Sequence, residues 1–404
     1  MMAKRIILHL DMNSYFATVE QQANPFIRGK PVGVCAYLAP NGCIIASSIE
    51  AKKYGIKTGC LVKQAKELYP KIILLENDPN KYRTVTKKFF KIMTSYSESF
   101  EPYSIDEAFL DLTGIVHNYL GANNLAKEIR LRIKQEVGSY LKCSIGISFT
   151  KFLAKFVSDV VSVDEIGILA SKDELDTWFS KYKLTDLWGI NIRLEKRLNV
   201  LGIRTILDLK NSPIQNLIQA LGKNGYYLWA KVNGLELDYL RASNELQSKS
   251  IGHSYCMPNW TRDKEYLGKV LYKLTYKVGK RLRERHILAQ GIYIYWSYVD
   301  WQILGFGKSF KLKTPTSSTE IIFRKALAIL TQEELKDKVR MLAVGVFNLV
   351  PINHQLSLLP TNDSKVNELV DKINGVYGEY TINLGRMWKT EDMARDRIGF
   401  RKID

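Results

Sequence analysis

The chain of 404 residues is too long for one compact core, so we expect about two to four domains. Its content of 46% hydrophobic and 25% charged residues is typical of a globular protein and excludes a disordered chain. Because 59 Lys and Arg face 41 Asp and Glu, the net charge of +18 favours a polyanionic partner, nucleic acid ahead of an anionic membrane.

Membrane insertion and secretion are disfavoured by the sequence. No window reaches the roughly 18 uninterrupted apolar residues of a membrane span, and the first apolar stretch meets Asp11 too early for a secretory signal. The five cysteines are odd in number, scattered and without a CxxC pair, which argues against a disulfide framework or a zinc site. We therefore expect a cytoplasmic protein.

Strands and helices alternate over about the first 170 residues, which indicates an α/β or α+β domain. A buried-type strand at 5–10 ends at Asp11, and a helix follows with Asn13 or Ser14 as its N-cap. Later elements are helices within 81–99 and 123–137 and strands at 108–112 and 142–150.

The pattern changes near Lys172. Residues 185–209 hold two short helices joined by a glycine turn, an arrangement that can grip one DNA strand by its phosphates. A polar, aperiodic segment at 240–250 is the candidate linker. A long helix at about 264–285 and three further strands then indicate a separate domain.

This long helix carries a basic run in which Glu284 is the one opposing acid. A merely solvated charged face, the alternative interpretation, should carry neutralising acids at i+4. Their absence favours contact with DNA phosphates. The basic residues are Lys269, Lys273, Lys277, Lys280, Arg281, Arg283 and Arg285.

Three carboxylates lie at predicted strand ends, Asp11 after the first strand and Asp106 and Glu107 before a later one. With no His or Cys expected beside them, they are hard oxygen ligands that suit Mg²⁺. Without a cation they would repel one another, whereas two metal ions would support phosphoryl chemistry. Unrelated surface acids are the alternative that this spacing leaves open.

Two motifs connect these acids to a known family. LDMNSYFATVE (10–20) and YSIDEAFLDLTG (103–114) resemble the first motif and the catalytic acid motif of Y-family translesion DNA polymerases. The segments that follow keep the order of that family, and the likeness covers nearly the whole chain. It is closest to bacterial members of the DinB type. These segments are CSIGISFTKFLAKFVSD, LWGINIRLEKRLNVLGIRTILDL and SIGHSYCMP.

The resemblance implies an α+β multidomain fold shaped as a right hand, with a mixed-sheet palm, small fingers, a helical thumb and an α/β little finger. The implied activity is low-fidelity, template-directed DNA synthesis from dNTP on a primer 3′-OH. A DNA- and clamp-binding accessory subunit with weak or no synthesis is the alternative, and a nucleotide cyclase is a third. The implied domains are palm 1–23 and 81–171, fingers 24–80, thumb 172–240, linker 241–249, little finger 250–350 and C-terminal tail 351–404.

The resemblance also assigns site residues. Phe16 matches the steric gate against ribonucleotides, and the backbone amide of Tyr15 is placed for the triphosphate. Two Mg²⁺ ions, for which Mn²⁺ can substitute, would bind Asp11, the Met12 carbonyl, Asp106 and Glu107.

The triphosphate contacts depart from the family pattern. Ile49 and Lys52 stand where the family usually has a Tyr and an Arg, and Ser162 stands where it has a Lys. Lys52 keeps the charge but lacks the forked geometry of Arg, so we expect weakened nucleotide binding. Lys151 and Lys155 are retained upstream.

HQLSLLP (354–360) resembles the peptide by which bacterial polymerases bind the sliding clamp, although Leu359 replaces its usual Phe. A short amphipathic loop is the alternative. The expected partners are template–primer DNA, dNTP and the sliding clamp, with the protein itself a monomer. The implied clamp contacts are Gln355, Leu356, Leu358 and Leu359.

Overall fold

The computed structural model describes residues 5–237, 240, 248–352, 363–378, 381–382 and 385–387. The chain divides into two compact units, one with the described residues up to 240 and one with those from 248 onward. The predicted α+β multidomain fold is confirmed. Most of the predicted linker lies outside the described residues. A search of the described helices found none with the length and apolarity needed to cross a membrane.

The first unit begins with alternating strands and helices. They are β1 (Ile7–Met12), α1 (Tyr15–Ala23), β2 (Val32–Cys35), β3 (Ile44–Ser47), α2 (Ile49–Lys52), α3 (Val62–Leu68), β4 (Ile73–Glu76), α4 (Pro79–Thr94), β5 (Phe100–Pro102), β6 (Glu107–Asp111), α5 (Tyr119–Arg132), β7 (Cys143–Ser148), α6 (Lys151–Val160) and β8 (Ile166–Leu169).

Five of these strands form a mixed sheet in the order β5-β6-β1-β7-β8, where only β7 and β8 run parallel. Side chains alternate between its faces. On β1, Leu8 and Leu10 pack in the core formed with α1, α4 and α5. Ile7 packs on the opposite face with Phe109 and Ala154 of α6. Asp11 is four residues after Ile7 on the same strand, so the two side chains lie on the same face of the sheet. This is the face that α6 covers.

The other strands of this unit form a separate three-stranded sheet, β3-β2-β4, in which β2 is antiparallel to β3 and parallel to β4. The short helix α2 begins beside it, because the Ser48 hydroxyl accepts a hydrogen bond from the amide of Ala51. The chain from 172 to 232 is mainly helical, with α7 (Leu175–Phe179), α8 (Ile192–Val200), α9 (Ile206–Asn211), α10 (Ile214–Leu221) and α11 (Lys223–Val232).

The second unit is an antiparallel sheet with strand order β11-β10-β12-β9 and helices packed against it. Its apolar core joins the sheet to the first two helices. The elements are β9 (Ser250–Thr261), α12 (Lys264–Glu284), β10 (Ile287–Tyr298), β11 (Phe306–Thr316), α13 (Thr319–Gln332), β12 (Val339–Pro351) and α14 (Asp363–Tyr377).

Close packing of α6 on the five-stranded sheet depends on Gly146 of β7. A Cβ atom at this position would lie 2.0 Å from the carbonyl oxygen of Ala154 and 2.4 Å from the amide nitrogen of Ser158. Both neighbours are backbone atoms, so neither can rotate away. The missing side chain therefore sets how closely α6 approaches the strand edge that carries Asp11.

We predict that Gly146→Ala lowers the free energy of unfolding by about 1–3 kcal/mol, because the added methyl group must push α6 outward. Chemical denaturation and thermal melting measure this change. Gly121→Ala in α5 is the matched control, since its Cβ would meet nothing nearer than 3.4 Å and alanine favours a helix. Equal stability of Gly146→Ala and the wild-type protein would contradict the packing argument.

Candidate active site

The three predicted metal-binding acids come together at one end of the five-stranded sheet. Asp11 of β1 lies directly opposite Glu107, the first residue of β6. Asp106 precedes that strand, and its carbonyl oxygen accepts a hydrogen bond of 3.0 Å from the amide of Met12. Successive side chains of a strand point to opposite faces, but Asp106 lies in the turn before β6 and is not bound by this rule. Its carboxylate can therefore lie on the same side as that of Glu107.

The environment of these acids disfavours their negative charge. Burial, then the nearby carboxylates of Glu107 and Asp106, raise the pKa of Asp11 well above its usual range. Burial is also the main reason that the pKa of Asp106 rises to about 6, and Glu107 adds to it. The Ser104 hydroxyl donates a hydrogen bond to Asp106 and partly opposes this rise. Such an all-oxygen, charge-crowded group fits a hard divalent cation.

Glu107 differs from the other two acids because it has a cationic partner. The ammonium of Lys155 donates to its Oε2 at 2.7 Å, and His9 Nε2 lies 3.4 Å from the same oxygen. Burial alone would raise the pKa of Glu107, but His9 and Lys155 outweigh it and lower the pKa to about 2. Within the described part of the chain, no three His, Cys, Asp or Glu side chains converge closely enough to enclose a metal ion.

The expectation that no histidine lies beside the acids is wrong. His9 is fully buried, and its Nδ1 lies 2.6 Å from the Ser158 hydroxyl of α6. Burial lowers the pKa of His9 to about 4, so the ring is neutral at neutral pH. The signal was available in the sequence, since residues 9 and 11 of one strand share a face.

The start of α1 lies next to the acids. Ser14 precedes the helix in a left-handed conformation, with φ of 50°, and its side chain makes no capping hydrogen bond. The first backbone amides of the helix, including those of Tyr15 and Phe16, have no acceptor within the helix. The predicted position of the Tyr15 amide, close to the acids, fits an anion such as a triphosphate.

Phe16 is fully buried in this structure. Its ring stacks on Tyr82 with a centroid distance of 4.5 Å, and the Tyr82 hydroxyl donates to Glu20 at 2.8 Å. Lys81 donates to the same carboxylate. Phe16 is therefore a buried aromatic residue whose ring packs against Tyr82. Its role as a steric gate stays a prediction.

The altered triphosphate positions lie in two places. Ile49 and Lys52 are the first and last residues of α2, and the side chain of Lys52 is exposed. The carbonyl of Ser162 accepts a hydrogen bond from the Ser144 hydroxyl. Two residues later, the amide of Asp164 donates a hydrogen bond to the side chain of Asn13. The segment at Ser162 is thus fixed beside the five-stranded sheet by these hydrogen bonds and by an ion pair between Lys134 and Asp164.

The basic residues of α12 that are predicted to bind DNA do not form one exposed basic face; they are Lys269, Lys273, Lys277, Lys280, Arg281 and Arg283. Lys273, Lys277 and Arg283 have relative exposures of 1%, 6% and 9%, because α12 is packed between the sheet and other helices. The premise of exposed side chains is therefore wrong for these three. All three lie on covered sides of the helix.

The expected lack of neutralising acids is also wrong. Glu265, which precedes the basic run, pairs with Lys269 at 2.9 Å. Arg283 forms a two-pronged ion pair with Asp371 of α14, a partner 88 residues away that no local pattern could reveal. Arg281 donates to the carbonyl of Gly252. Lys280 lies 3.9 Å from the carboxylate of Glu284.

The sheet of the second unit offers a different open surface. On the face away from the apolar core, two aromatic rings pack against glycines of the neighbouring strand. A Cβ atom on Gly291 would lie 2.4 Å from the Phe347 ring. A Cβ atom on Gly345 would lie 2.1 Å from the Tyr293 ring. Small and basic residues flank these rings. Exposed members of this face are Ser250, Ser254, Cys256, Ser309 and Lys311.

The predicted clamp contacts Gln355, Leu356, Leu358 and Leu359 lie outside the described residues. The chain is described again from Asp363, where α14 begins. That helix contacts α12, because Asn374 and Asp371 both hydrogen-bond with the Tyr276 hydroxyl. The predicted peptide therefore lies between two structured elements of the second unit, β12 and α14.

Comparisons with known proteins agree with this arrangement. The model of the impB/mucB/samB family matches residues 10–159, and that of the C-terminal domain of the family matches residues 248–358. The chain is 32% identical to DNA polymerase IV 1 of Bacillus subtilis (strain 168), over 98% of this chain and 97% of that protein.

Two further matches support the same assignment. DNA polymerase IV of Bacillus velezensis is 31% identical over 98% of this chain and 97% of that protein. The structure of a Y-family DNA polymerase chimera matches the fold with a TM-score of 0.75 and 23% identity, covering 86% of this chain and 100% of the other. The chain therefore belongs to the impB/mucB/samB family, within the Y-family of DNA polymerases.

Proposed function

We propose that this protein is a template-directed DNA polymerase of the low-fidelity translesion type, which joins a dNTP to the 3′-OH of a primer. The observation that carries the proposal is the meeting of Asp11, Asp106 and Glu107 at one sheet end, beside the start of α1. Membership of a polymerase family implies dependence on a divalent metal and binding of template–primer DNA and dNTP.

The metal is Mg²⁺ in this proposal, bound as two ions, and Mn²⁺ can substitute for it. Asp11, Asp106, Glu107 and the carbonyl of Met12 would hold it, all through hard oxygen atoms. When bound, the metal activates the primer hydroxyl and stabilises the leaving pyrophosphate. The raised pKa values of Asp11 and Asp106 support this assignment, because burial and the neighbouring carboxylates disfavour their negative charge and a bound cation would offset that cost.

The chain itself positions the nucleotide. The first amides of α1, at Tyr15 and Phe16, would donate hydrogen bonds to the triphosphate, and the positive end of the helix dipole favours an anion there. Lys52 is exposed at the end of α2 and supplies one positive charge. The Phe16 ring, backed by Tyr82, is the proposed barrier to a ribose 2′-OH.

DNA would be held by phosphate contacts of low sequence preference. Given the burial of Lys273 and Lys277, we place the main contact of the second unit on the open sheet face near Lys311 rather than on α12. Lys269, Lys280 and Arg281 are the less buried of the predicted residues and stay candidates. The helical segment 172–240 is proposed as the thumb.

A DNA- and clamp-binding accessory subunit with little synthesis is the second candidate. It is favoured by Ile49, Lys52 and Ser162, which replace the usual triphosphate contacts. The polymerase is preferred because the acids, which an accessory subunit would not need, are all present. We further propose that the protein is a monomer that works in the cytoplasm, where dNTP and template DNA are found.

The two candidates differ in what Asp106 does. We predict that Asp106→Asn lowers the rate of primer extension more than about 100-fold, beyond the effect of a residue that only supports a metal ligand. The affinity for template–primer, measured by fluorescence anisotropy, should stay unchanged. Asp173→Asn, an exposed acid of the same unit, is the control. Wild-type protein that shows no extension with Mg²⁺ or Mn²⁺ at millimolar dNTP would leave only the accessory role.

Ile49 and Lys52 of α2 stand where the family usually has Tyr and Arg, so introducing those two residues should strengthen dNTP binding. Restoring Ile49→Tyr together with Lys52→Arg should lower the KM for dNTP by about 10- to 100-fold, since a hydrogen bond to a charged group contributes about 1.5–3 kcal/mol. Steady-state single-nucleotide insertion measures KM and kcat separately. Lys53→Arg, at the adjacent exposed position, should leave KM unchanged. An unaltered KM in the double variant would show that α2 does not contact the triphosphate.

The clamp peptide gives a separate prediction. Replacing Leu358 and Leu359 by Ala should weaken binding to a bacterial sliding clamp by about 100-fold or more, because two buried leucines contribute about 1.5–3 kcal/mol each. Surface plasmon resonance measures the affinity, and extension of a short primer without clamp should not change. Ser357→Ala within the peptide is the control. Wild-type affinity in the double variant would remove the proposed clamp site.

A further inference from the structure

We propose that Lys155 is a built-in counter-ion of the carboxylate cluster, which holds Glu107 away from the metal position until the metal ion replaces its ammonium. Lys155 would then be a positioning residue for the ligand Glu107. This inference rests on the proposed metal-dependent polymerase and adds a step of ion exchange to it.

The contacts of Lys155 join the cluster to α6. Its ammonium lies 2.7 Å from Glu107 Oε2 and 3.2 Å from Asp159 Oδ1, and its side chain is only 6% exposed. Solvent therefore screens these attractions poorly, and they are stronger than those of a surface ion pair. The cation is held between an acid of the sheet and an acid of its own helix.

The charges around Lys155 show why it matters. Asp11, Glu107 and Asp159 all act on its ammonium and raise the pKa of Lys155, although burial opposes them. His9 touches Glu107 from the other side but is neutral, because burial lowers its pKa to about 4. Of the two groups, only Lys155 brings a positive charge to Glu107.

A metal ion and the ammonium would compete for the same carboxylate. A divalent cation bound at Glu107 would repel a positive charge 2.7 Å from that oxygen. The four-carbon stem of lysine is flexible, so the ammonium can leave toward Asp159 without movement of α6.

The backbone of Lys155 is fixed, so the exchange is confined to its side chain. The Ser158 hydroxyl donates to the carbonyl of Lys155 at 2.7 Å and also contacts His9 Nδ1. Close approach of α6 at Gly146 brings this turn against β1 and β7. The stem of Lys155 thus starts from a defined point beside the acids.

Lys151, one turn earlier on the same helix, is a matched comparison. It is also buried, and it donates to both oxygens of Glu101 at 2.7 and 2.8 Å. Glu101 lies in β5 and is not among the proposed metal ligands. Removing either lysine takes one ammonium away from a glutamate, but only Lys155 pairs with a proposed metal ligand.

The test compares Lys155→Met with Lys151→Met in the full chain. Thermal melting in EDTA and in saturating Mg²⁺ gives the stabilisation by metal, and electron paramagnetic resonance gives the Kd for Mn²⁺. Both variants should melt below the wild-type protein in EDTA. Lys155→Met alone should bind Mn²⁺ about tenfold or more tightly and gain more from Mg²⁺, because no ammonium competes. Lys155→Arg, which keeps the charge, should bind Mn²⁺ like the wild type.

Equal Mn²⁺ affinity of Lys155→Met, Lys151→Met and the wild type would overturn the inference and make Lys155 merely structural. Weaker binding in Lys155→Met would overturn it as well. If Lys155→Met does not fold, Lys155→Gln is measured in its place with the same expected direction. Failure of the wild-type protein to bind any Mn²⁺ would instead refute the proposed metal site itself.

Discussion

The arrangement of the candidate active site depends on how the first unit offsets the negative charge that is crowded into one partly buried end of its sheet. Asp11, Asp106 and Glu107 lie within reach of one another, and burial raises the pKa of the first two. Such a group is unfavourable unless cations offset it. Lys155 does so for Glu107, and α6 must lie close to the sheet for its ammonium to reach that oxygen. Packing and electrostatics are therefore coupled at this edge.

The rest of the site is arranged around the same edge. Helix α1 starts where β1 ends, so its free amides adjoin the acids, and α4 supplies Tyr82 behind Phe16. The proposed triphosphate side is weaker, because Lys52 is exposed and the Ser162 carbonyl accepts a hydrogen bond from Ser144. The protein thus combines a strongly organised acid cluster with few cations for the nucleotide.

The second unit shows how far charge patterns alone can mislead. The basic run on α12 resembled an open phosphate-binding face, but Lys273 and Lys277 are buried and Arg283 is paired with Asp371. Long basic side chains can be covered when distant carboxylates and carbonyls accept their hydrogen bonds. The flat, aromatic and small-residue face of the sheet offers more accessible surface.

The sequence by itself determined the fold class, the alternating elements of the first unit and the positions of the acids, because periodicity and motif spacing are local. It also placed the departures at Ile49, Lys52 and Ser162. Only the tertiary structure decided that His9 and Lys155 flank Glu107, that Phe16 rests on Tyr82, and which lysines of α12 are covered. Each of these contacts joins residues that are distant along the chain or depends on how closely helices approach a sheet. Local pattern carries no information about either.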